Sequence, residues 1–420
     1  MKNVFLKLTI LAILILSFNT AQAATFTVTK TADMNDGACD ADCPLKGTLN
    51  AVNDQTKSYP IKVVGDSHTL VLLSDGSVAG WGTCNRGELG PMPGKPRNQV
   101  FATALVSIKL PGKAIDIAAG ESSSFALLDD GTVVSWGSNL RKMLGNTGSA
   151  YQLSNGQNGS ETPVKISKLN DIVQIAAAAT RAVALKRDGT VYAWGQSENA
   201  DSPVPIAGLR NISQISVGST HAMALDASGN VWTWGDNMYG VLGRKTESGT
   251  PAQVPGLSDV ISISAGSGVS TVVKKDGTVW VWGSNWNGQF GNGSRTAAPV
   301  YGGLSNQIET VPQRVPGVQN AVLATSGLRG RHTLVLLKDG SLKGWGNTDW
   351  GQLGAGVLGT FQESAIIPKI TGVKAVFAVG NNSYAVKNDN TLWIWGADTT
   401  GGFPLKVKSA IPKLLGLGTL

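Results

Sequence analysis

The 420-residue sequence is poor in the residues that usually build catalytic or metal centres. Its three cysteines and three histidines are too few for a disulfide-rich scaffold or a four-thiolate zinc site. Charged residues make up only 15% of the chain, and the net charge of +7 is spread along it, which gives little support to nucleic-acid binding. The phosphate-binding Gly-x-x-x-x-Gly-Lys-Ser/Thr loop and the nucleophile motif Gly-x-Ser-x-Gly are both missing. We therefore expect no enzyme activity, no cofactor, no metal centre and no nucleic-acid partner.

Long apolar runs are also missing, except at the N-terminus. Lys2 and Lys7 lead into an apolar stretch, residues 8–18, that is too short to span a bilayer. Residues 21–23, Ala-Gln-Ala, have the small-x-small form that signal peptidase accepts. We predict a signal peptide over residues 1–23, cleavage after Ala23 and a secreted protein, extracellular or periplasmic, with no membrane partner. The alternative is a retained membrane anchor, which the well-formed cleavage site disfavours.

One pattern recurs through the rest of the chain: Asp-Gly, followed by Trp-Gly six residues after the Asp. The fourth copy has Ser228 in place of the Asp. This offset is constant, whereas successive tryptophans are 40 to 63 residues apart, so length variation should lie in loops. The anchor tryptophans of the pattern are Trp81, Trp136, Trp194, Trp234, Trp282, Trp345 and Trp395.

Asp-Gly between two apolar runs predicts a β-hairpin, because glycine accepts the positive φ that the turn requires. A further apolar run precedes each hairpin, and a Pro-x-x-apolar segment follows most of them. Four short strands in a unit of about 50 residues are typical of a β-propeller blade. We therefore predict an all-β, seven-bladed propeller over residues 59–420, with the anchor tryptophans buried between blades and a monomeric state. Because residues 411–416 match residues 367–372, we expect the end of the chain to dock beside the first hairpin and close the ring.

The repeat resembles that of the RCC1 family, the regulators of chromosome condensation. The resemblance rests on the pattern from His through Asp-Gly and Trp-Gly to Gly-x-Leu-Gly over residues 59–416, and residues 332–346 are a close copy. It implies a propeller that binds proteins through its loop faces. The third unit lacks Gly-x-Leu-Gly between Gln196 and Asp201, and the seventh has Asn390 in place of the turn glycine, so both should differ locally.

Residues 24–58 precede the repeats and partly resemble the CSLREA segment of exported bacterial proteins. The resemblance lies in Asp36-Gly37 and in Cys39 and Cys43, with Pro44 departing from the family pattern. It supports export. We expect a local disulfide between the two cysteines, because they are four residues apart in an exported segment. A calcium site among the acidic residues 33–42 is a weaker alternative.

The histidines and the repeated aspartates are candidates for chemistry, but both have a structural interpretation. His68, His221 and His332 each lie seven residues before the Asp or Ser of their turn, on three different units. Equivalent positions indicate a structural role, expected to be a hydrogen bond to a turn. The aspartates all occupy the same turn, where a carboxylate caps the backbone.

The candidate binding residues are variable positions just before the glycine of each Trp-Gly-x-Asn-x-x-Gly turn. Aromatic residues, Met and Arg on a constant framework are the composition of interface hot spots, although surface drift would give such variation too. The candidates are Arg86, Arg141, Met238, Tyr239, Trp286 and Trp350. We therefore expect a non-catalytic exported propeller that docks a protein partner through this rim, including as an inhibitor of a secreted enzyme. The alternative is nucleotide exchange on a small GTPase, as the family resemblance implies.

Overall fold

The computed structural model describes residues 58–92, 100–146, 152–153, 156–245, 249–295, 308–329, 331–359, 361–397 and 409–417. These residues form seven four-stranded sheets, and each sheet consists of four strands that are consecutive in the chain. Neighbouring strands of a sheet are antiparallel. The predicted signal peptide, the CSLREA-like segment with Cys39 and Cys43, and the acidic residues 33–42 lie outside the described residues.

Counted outwards from the centre of the ring, the first two strands of each blade are its inner strands. The innermost strands are β1 (Pro60–Gly65), β5 (Ala114–Ala119), β9 (Ile172–Ala177), β13 (Ile212–Val217), β17 (Val260–Ala265), β21 (Ala321–Ser326) and β25 (Val373–Val379). The second strands are β2 (His68–Leu73), β6 (Ser123–Leu128), β10 (Ala182–Lys186), β14 (His221–Asp226), β18 (Val269–Lys274), β22 (His332–Leu337) and β26 (Asn382–Lys387).

The two outer strands complete each blade. The third strands are β3 (Val78–Thr83), β7 (Val133–Ser138), β11 (Val191–Gly195), β15 (Val231–Gly235), β19 (Val279–Gly283), β23 (Leu342–Asn347) and β27 (Leu392–Gly396). The outermost are β4 (Phe101–Ile108), β8 (Gly159–Lys165), β12 (Ala200–Pro205), β16 (Ala252–Gln253), β20 (Glu309–Arg314), β24 (Phe361–Ile366) and β28 (Ser409–Leu415). A short 3₁₀ helix, Gln196–Glu198, precedes β12.

The blades form a closed ring. Each innermost strand packs beside the innermost strand of the next blade, and β25 packs beside β1. Buried apolar residues of neighbouring blades form seven clusters, one at each interface between blades. All seven anchor tryptophans are buried within these clusters, at most 2% exposed. The predicted all-β, seven-bladed propeller is confirmed.

The predicted Asp-Gly hairpins join the second and third strands of the blades. In the first blade, Gly76 has φ +86° and the Asp75 carboxylate accepts a hydrogen bond from the backbone N–H of Ser77, 2.9 Å away. Hydrogen bonds from the Ser77 hydroxyl and backbone lower the pKa of Asp75. In the fourth blade Asp226 replaces the missing turn Asp and caps Ser228 instead. The repeated carboxylates are thus turn caps.

Innermost strands have one edge facing the central channel, and side chains from the preceding blade cover part of it. An uncovered strand edge leaves backbone N–H groups unpaired. Side-chain oxygens of one blade accept hydrogen bonds from backbone N–H groups of the next blade, at 2.9–3.0 Å. The pairs are Asp116 with Ile175, Gln174 with Ile215, and Gln214 with Ile263.

The last described strand shows how the ring closes. β28 pairs with β27, with Leu415 opposite Leu392, and is therefore the outer strand of the seventh blade. The expected position beside the first hairpin is reached by side-chain packing and not by strand pairing. Leu415 does belong to the apolar cluster that joins the seventh and first blades, together with Val71 and Leu73. Every blade is one continuous piece of chain, so in the described residues the ring's two ends are joined by side-chain packing.

Deleting residues 404–420 should lower the melting temperature and broaden the transition. The deletion removes β28, exposes the edge of β27 and takes Leu415 out of the cluster between the first and seventh blades. Calorimetry of the shortened and full chains measures the effect. An unchanged melting transition would contradict the role assigned to β28.

Candidate functional site

One end of the ring carries the loops that differ most between the blades. We call it the loop face. It consists of the loops between innermost and second strands, such as residues 120–122, and the Trp-Gly turns that follow the third strands, such as residues 139–145. Antiparallel strands place both kinds of loop at the same end, opposite the Asp-Gly turns.

The Trp-Gly turns are rigidly built. In three of them an asparagine carbonyl oxygen accepts a backbone N–H five residues further on, at 2.9–3.0 Å. These asparagines are Asn139, Asn237 and Asn285. Glycines later in the turns have positive φ, as in Gly87 at +76° and Gly90 at +81°. The turn therefore holds the variable positions between the asparagine and the glycine in a fixed place.

Each turn is also fastened to the next blade through an anchor tryptophan. In five blades the indole N–H donates to a backbone carbonyl in the turn of the preceding blade, at 2.6–2.8 Å. The donor and acceptor pairs are Trp136 with Glu88, Trp194 with Met143, Trp282 with Val241, Trp345 with Gln289, and Trp395 with Gln352.

The two remaining anchor tryptophans, Trp234 and Trp81, follow the third and the seventh blade. The indole N–H of Trp234 has no acceptor in the described part of the chain, because the preceding blade has the 3₁₀ helix Gln196–Glu198 in place of the turn. The indole N–H of Trp81 also has none among the described residues. The matching turn of the seventh blade falls outside those residues, and Trp81 packs against Tyr384 with ring centroids 6.1 Å apart. A missing Gly-x-Leu-Gly thus removes a specific bond between blades.

The three histidines form a second set of bonds between blades. Each donor–acceptor pair joins a His Nε2 to a serine Oγ of the next blade at 2.7–2.8 Å. The pairs are His68 with Ser124, His221 with Ser270, and His332 with Ser383. Each serine hydroxyl also donates to a turn carbonyl, at 2.7–2.8 Å. Because a hydroxyl has one hydrogen, the histidine must donate from Nε2.

Burial keeps two of these histidines neutral. It lowers the pKa of His68 to about 4, and it lowers the pKa of His221 to about 3, where the charge of Arg181 acts in the same direction. The expected turn contact exists, but it runs through the serine. The sequence contains a signal for it: the blades after His carry Ser at this position, whereas the other four carry Ala or Thr.

The structure places all six candidate binding residues in Trp-Gly turns on the loop face, and it brings two aromatic residues together. Tyr239 and Trp286, from neighbouring blades, pack edge to face with ring centroids 5.5 Å apart. Met238 is 50% exposed and Trp350 is 39% exposed. Met238 directly precedes Tyr239 in the same turn and Trp350 lies on the sixth blade, so both add apolar surface near the aromatic pair.

The two arginine candidates lie together in another sector. Arg86 of the first blade donates to the Ser122 hydroxyl at 3.3 Å, and Arg141 of the second forms an ion pair with Glu121 at 3.1 Å. Both line a small cleft beside Glu121. The six candidates thus form an aromatic sector over the fourth to sixth blades and a basic sector over the first two.

The residues at the ring axis were missed by the sequence interpretation. Arg329, on the sixth blade, donates to Asp66 at 2.7 Å and to Glu121 at 2.9 Å, and so connects three blades. Its loop, residues 327–331, has five residues where the fourth and fifth blades have three. These two extra residues were the feature of the sequence that could have indicated a special role for this loop. Burial raises the pKa of Asp66 despite the opposing charge of Arg329.

A cavity of about 410 Å³ opens on the loop face next to this ion network. A second cavity of about 280 Å³ follows the channel and is lined by the innermost strands. Cys84, the cysteine left unassigned in the first Trp-Gly turn, is 3% exposed, which disfavours pairing with another molecule. Within the described ranges, no group of three His, Cys, Asp or Glu residues could hold a metal ion. No helix in those ranges is long and apolar enough to cross a membrane.

Comparisons with known proteins point to one family. The family model of the regulator of chromosome condensation (RCC1) repeat matches residues 228–273 and 276–336, and a second RCC1 repeat model matches residues 114–141, 212–241 and 260–289. The regulator of chromosome condensation of Drosophila melanogaster is 33% identical over 134 residues, which are 32% of this chain and 23% of that protein. Human E3 ubiquitin-protein ligase HERC2 is 30% identical over 139 residues, which are 32% of this chain and 3% of that protein.

Solved structures show the same fold. Prp20p of Saccharomyces cerevisiae, described with its binding properties to Gsp1p and histones, is 24% identical with a TM-score of 0.66, covering 85% of this chain and 87% of that one. Human WBSCR16 is 18% identical with a TM-score of 0.66, covering 81% and 94%. The chain matches less than a quarter of the length of its curated relatives from Drosophila melanogaster and human. Residues 114–141 and 212–336 therefore carry RCC1 repeats, and the described chain has the seven-bladed fold of the solved RCC1-type propellers.

Proposed function

We propose that the chain is a non-catalytic protein-binding propeller that docks its partner on the loop face. The observation that carries this proposal is the set of aromatic, Met and Arg side chains on rigid turns of one face. The Tyr239–Trp286 pair, with Met238 and Trp350 exposed nearby, has the composition of an interface hot spot. Rigid presentation lowers the entropy cost of binding.

The residues that would otherwise suggest catalysis have structural partners. The turn aspartates cap backbone N–H groups, and the histidines bond serines between blades. Both sets repeat around the ring at equivalent positions, whereas an active site needs its groups in one place. This favours binding over catalysis.

Export completes the proposal. The N-terminal segment has the features of a signal peptide, so we place the partner outside the cytoplasm. One form of this function is inhibition of a secreted enzyme, in which the loop face covers the enzyme's active site.

A capture experiment tests the loop face. Replacing Tyr239, Trp286 and Trp350 with alanine should reduce partner recovery from the organism's secreted proteins by at least about tenfold, because hot-spot residues contribute about 2 kcal/mol or more each. The control replaces Ile115, Val173 and Ile261 with alanine. These three are 52%, 37% and 47% exposed at the opposite end of the ring. Equal recovery by both triple variants would refute docking on the loop face.

A second candidate is guanine-nucleotide exchange on a small GTPase. It is favoured by the RCC1 repeats and by the reported binding of Prp20p to Gsp1p. An exported protein would need to enter a host cell to act in this way. Release of a fluorescent nucleotide from a purified GTPase tests this activity, and a rate unaffected by the protein would count against it.

A further inference from the structure

The cavity at the axis of the loop face has an unusual charge pattern. Its charged lining residues are one carboxylate, Asp66, and two guanidiniums, Arg329 and Arg331. The adjoining cleft adds Arg86, Arg141 and Glu121. In this region, therefore, guanidiniums outnumber carboxylates by four to two. The surplus positive charge favours an anionic ligand.

Arg329 is fixed by its acidic partners. Asp66, whose side chain is only 5% exposed, accepts its Nε–H, and Glu121 accepts from Nη2. The guanidinium itself stays half exposed, at 51% for the side chain. Two carboxylates thus hold one edge of a cation that still faces the cavity.

Arg331 is presented differently. It is exposed, and its polar side-chain contact is a distant one, from Nη1 to the Asn287 amide oxygen at 3.5 Å. Its backbone has φ +48°, a left-handed conformation that is uncommon for residues other than glycine. The guanidinium forms none of the salt bridges found among the described residues. The longer loop of the sixth blade therefore places an available two-pronged donor at the cavity.

We propose that this cavity binds a glutamate or aspartate side chain of the protein partner. The carboxylate receives paired hydrogen bonds from Arg331, and Arg329, which also lines the cavity, adds its charge. Guanidinium and carboxylate match in a planar, two-bonded geometry. The proposal rests on the docking function of the loop face and adds the chemistry of one contact.

A titration with small probes tests the site without the partner. The probes are N-acetyl-glutamate amide and its glutamine counterpart, and the signals are the Nε–H resonances of ¹⁵N-labelled arginines. The glutamate probe should shift the Arg331 signal in a saturable way, more weakly as salt rises. Arg331→Gln should weaken binding at least about tenfold, since hydrogen bonds to charged groups are worth about 1.5–3 kcal/mol. Arg331→Lys should lose affinity as well, because it lacks the planar fork.

Arg187→Gln is the matched control. It removes the same charge from an exposed residue beside an Asp-Gly turn at the other end of the ring, and binding should stay unchanged. Equal shifts with the glutamine probe, or equal affinity in Arg331→Gln and wild type, would overturn the carboxylate site. The aromatic triple variant separates the two proposals. Loss of partner capture in that variant, with no probe binding to the wild type, rejects the cavity and keeps the docking function.

Discussion

Replacing Trp345 with alanine should lower the free energy of unfolding by about 3–5 kcal/mol. The indole is fully buried between the fifth and sixth blades, where it packs with Phe290 and Val335. Its N–H donates to the Gln289 carbonyl at 2.7 Å. Alanine leaves a large cavity and breaks this bond across the interface. Chemical denaturation followed by circular dichroism measures the loss.

The matched control is in the same blade. Trp350 lies five residues further on and is 39% exposed, so its replacement by alanine should cost within about 0.5 kcal/mol. If both variants lost the same stability, the anchor tryptophans would not be the elements that hold the blades together. If Trp350→Ala alone lost partner capture, the two roles of tryptophan on this chain would be separated.

Lowering the pH from 7 to 4 should destabilise the fold through its buried histidines. In the unfolded chain a histidine has a pKa of about 6.5. Burial lowers the pKa of His221 to about 3 and that of His68 to about 4. Between its folded and unfolded pKa, each of these histidines is protonated in the unfolded chain and neutral in the folded one. Stability is therefore fully present above pH 6.5 and falls by about 1.4 kcal/mol per pH unit for each such histidine below it.

Exchanging one histidine pair tests the assignment. Val269 of the fifth blade occupies the position of His221, and Ala222 of the fourth occupies the position of Ser270. The double variant His221→Val and Ser270→Ala should reduce the slope of unfolding free energy against pH by about 1.4 kcal/mol per pH unit between pH 6 and 4. Ser270→Ala alone should keep the slope. A wild-type slope in the double variant would contradict the neutral, buried state of His221.

The repeat made much of the fold predictable. The constant Asp-to-Trp offset predicts a hairpin of fixed length. This works because a turn is determined by a few neighbouring residues, whose φ values depend on their own side chains. The constant offset therefore specified seven hairpins and their buried tryptophans. The irregular third unit was also visible, since Gln196 to Asp201 lacks the glycines of the turn. The 3₁₀ helix follows from that absence, and so does the indole N–H of Trp234, which has no acceptor among the residues that the structure describes.

The strand pairing at the closure could not be predicted, for a physical reason. Residues 411–415 lie in β28, whereas the matching residues 367–372 follow β24, so the similarity did not identify the outer strand. Nor does sequence similarity say which blade a strand pairs with. The structure gives β28 to the seventh blade. The ends of the ring are joined by the packing of Trp81 against Tyr384 and Leu415. These residues are far apart in the chain, so no local pattern shows that they meet.

The strands, the turns, the buried tryptophans and the rim of variable residues could be read from the amino-acid pattern, because each follows from residues close together in the chain. Three kinds of contact follow only from the folded ring: Tyr239 with Trp286, each histidine with a serine of the next blade, and Arg329 with Asp66 and Glu121 across the axis. These contacts join residues 47 to 263 positions apart. Their partners are chosen by the closure of the ring, which places distant loops side by side.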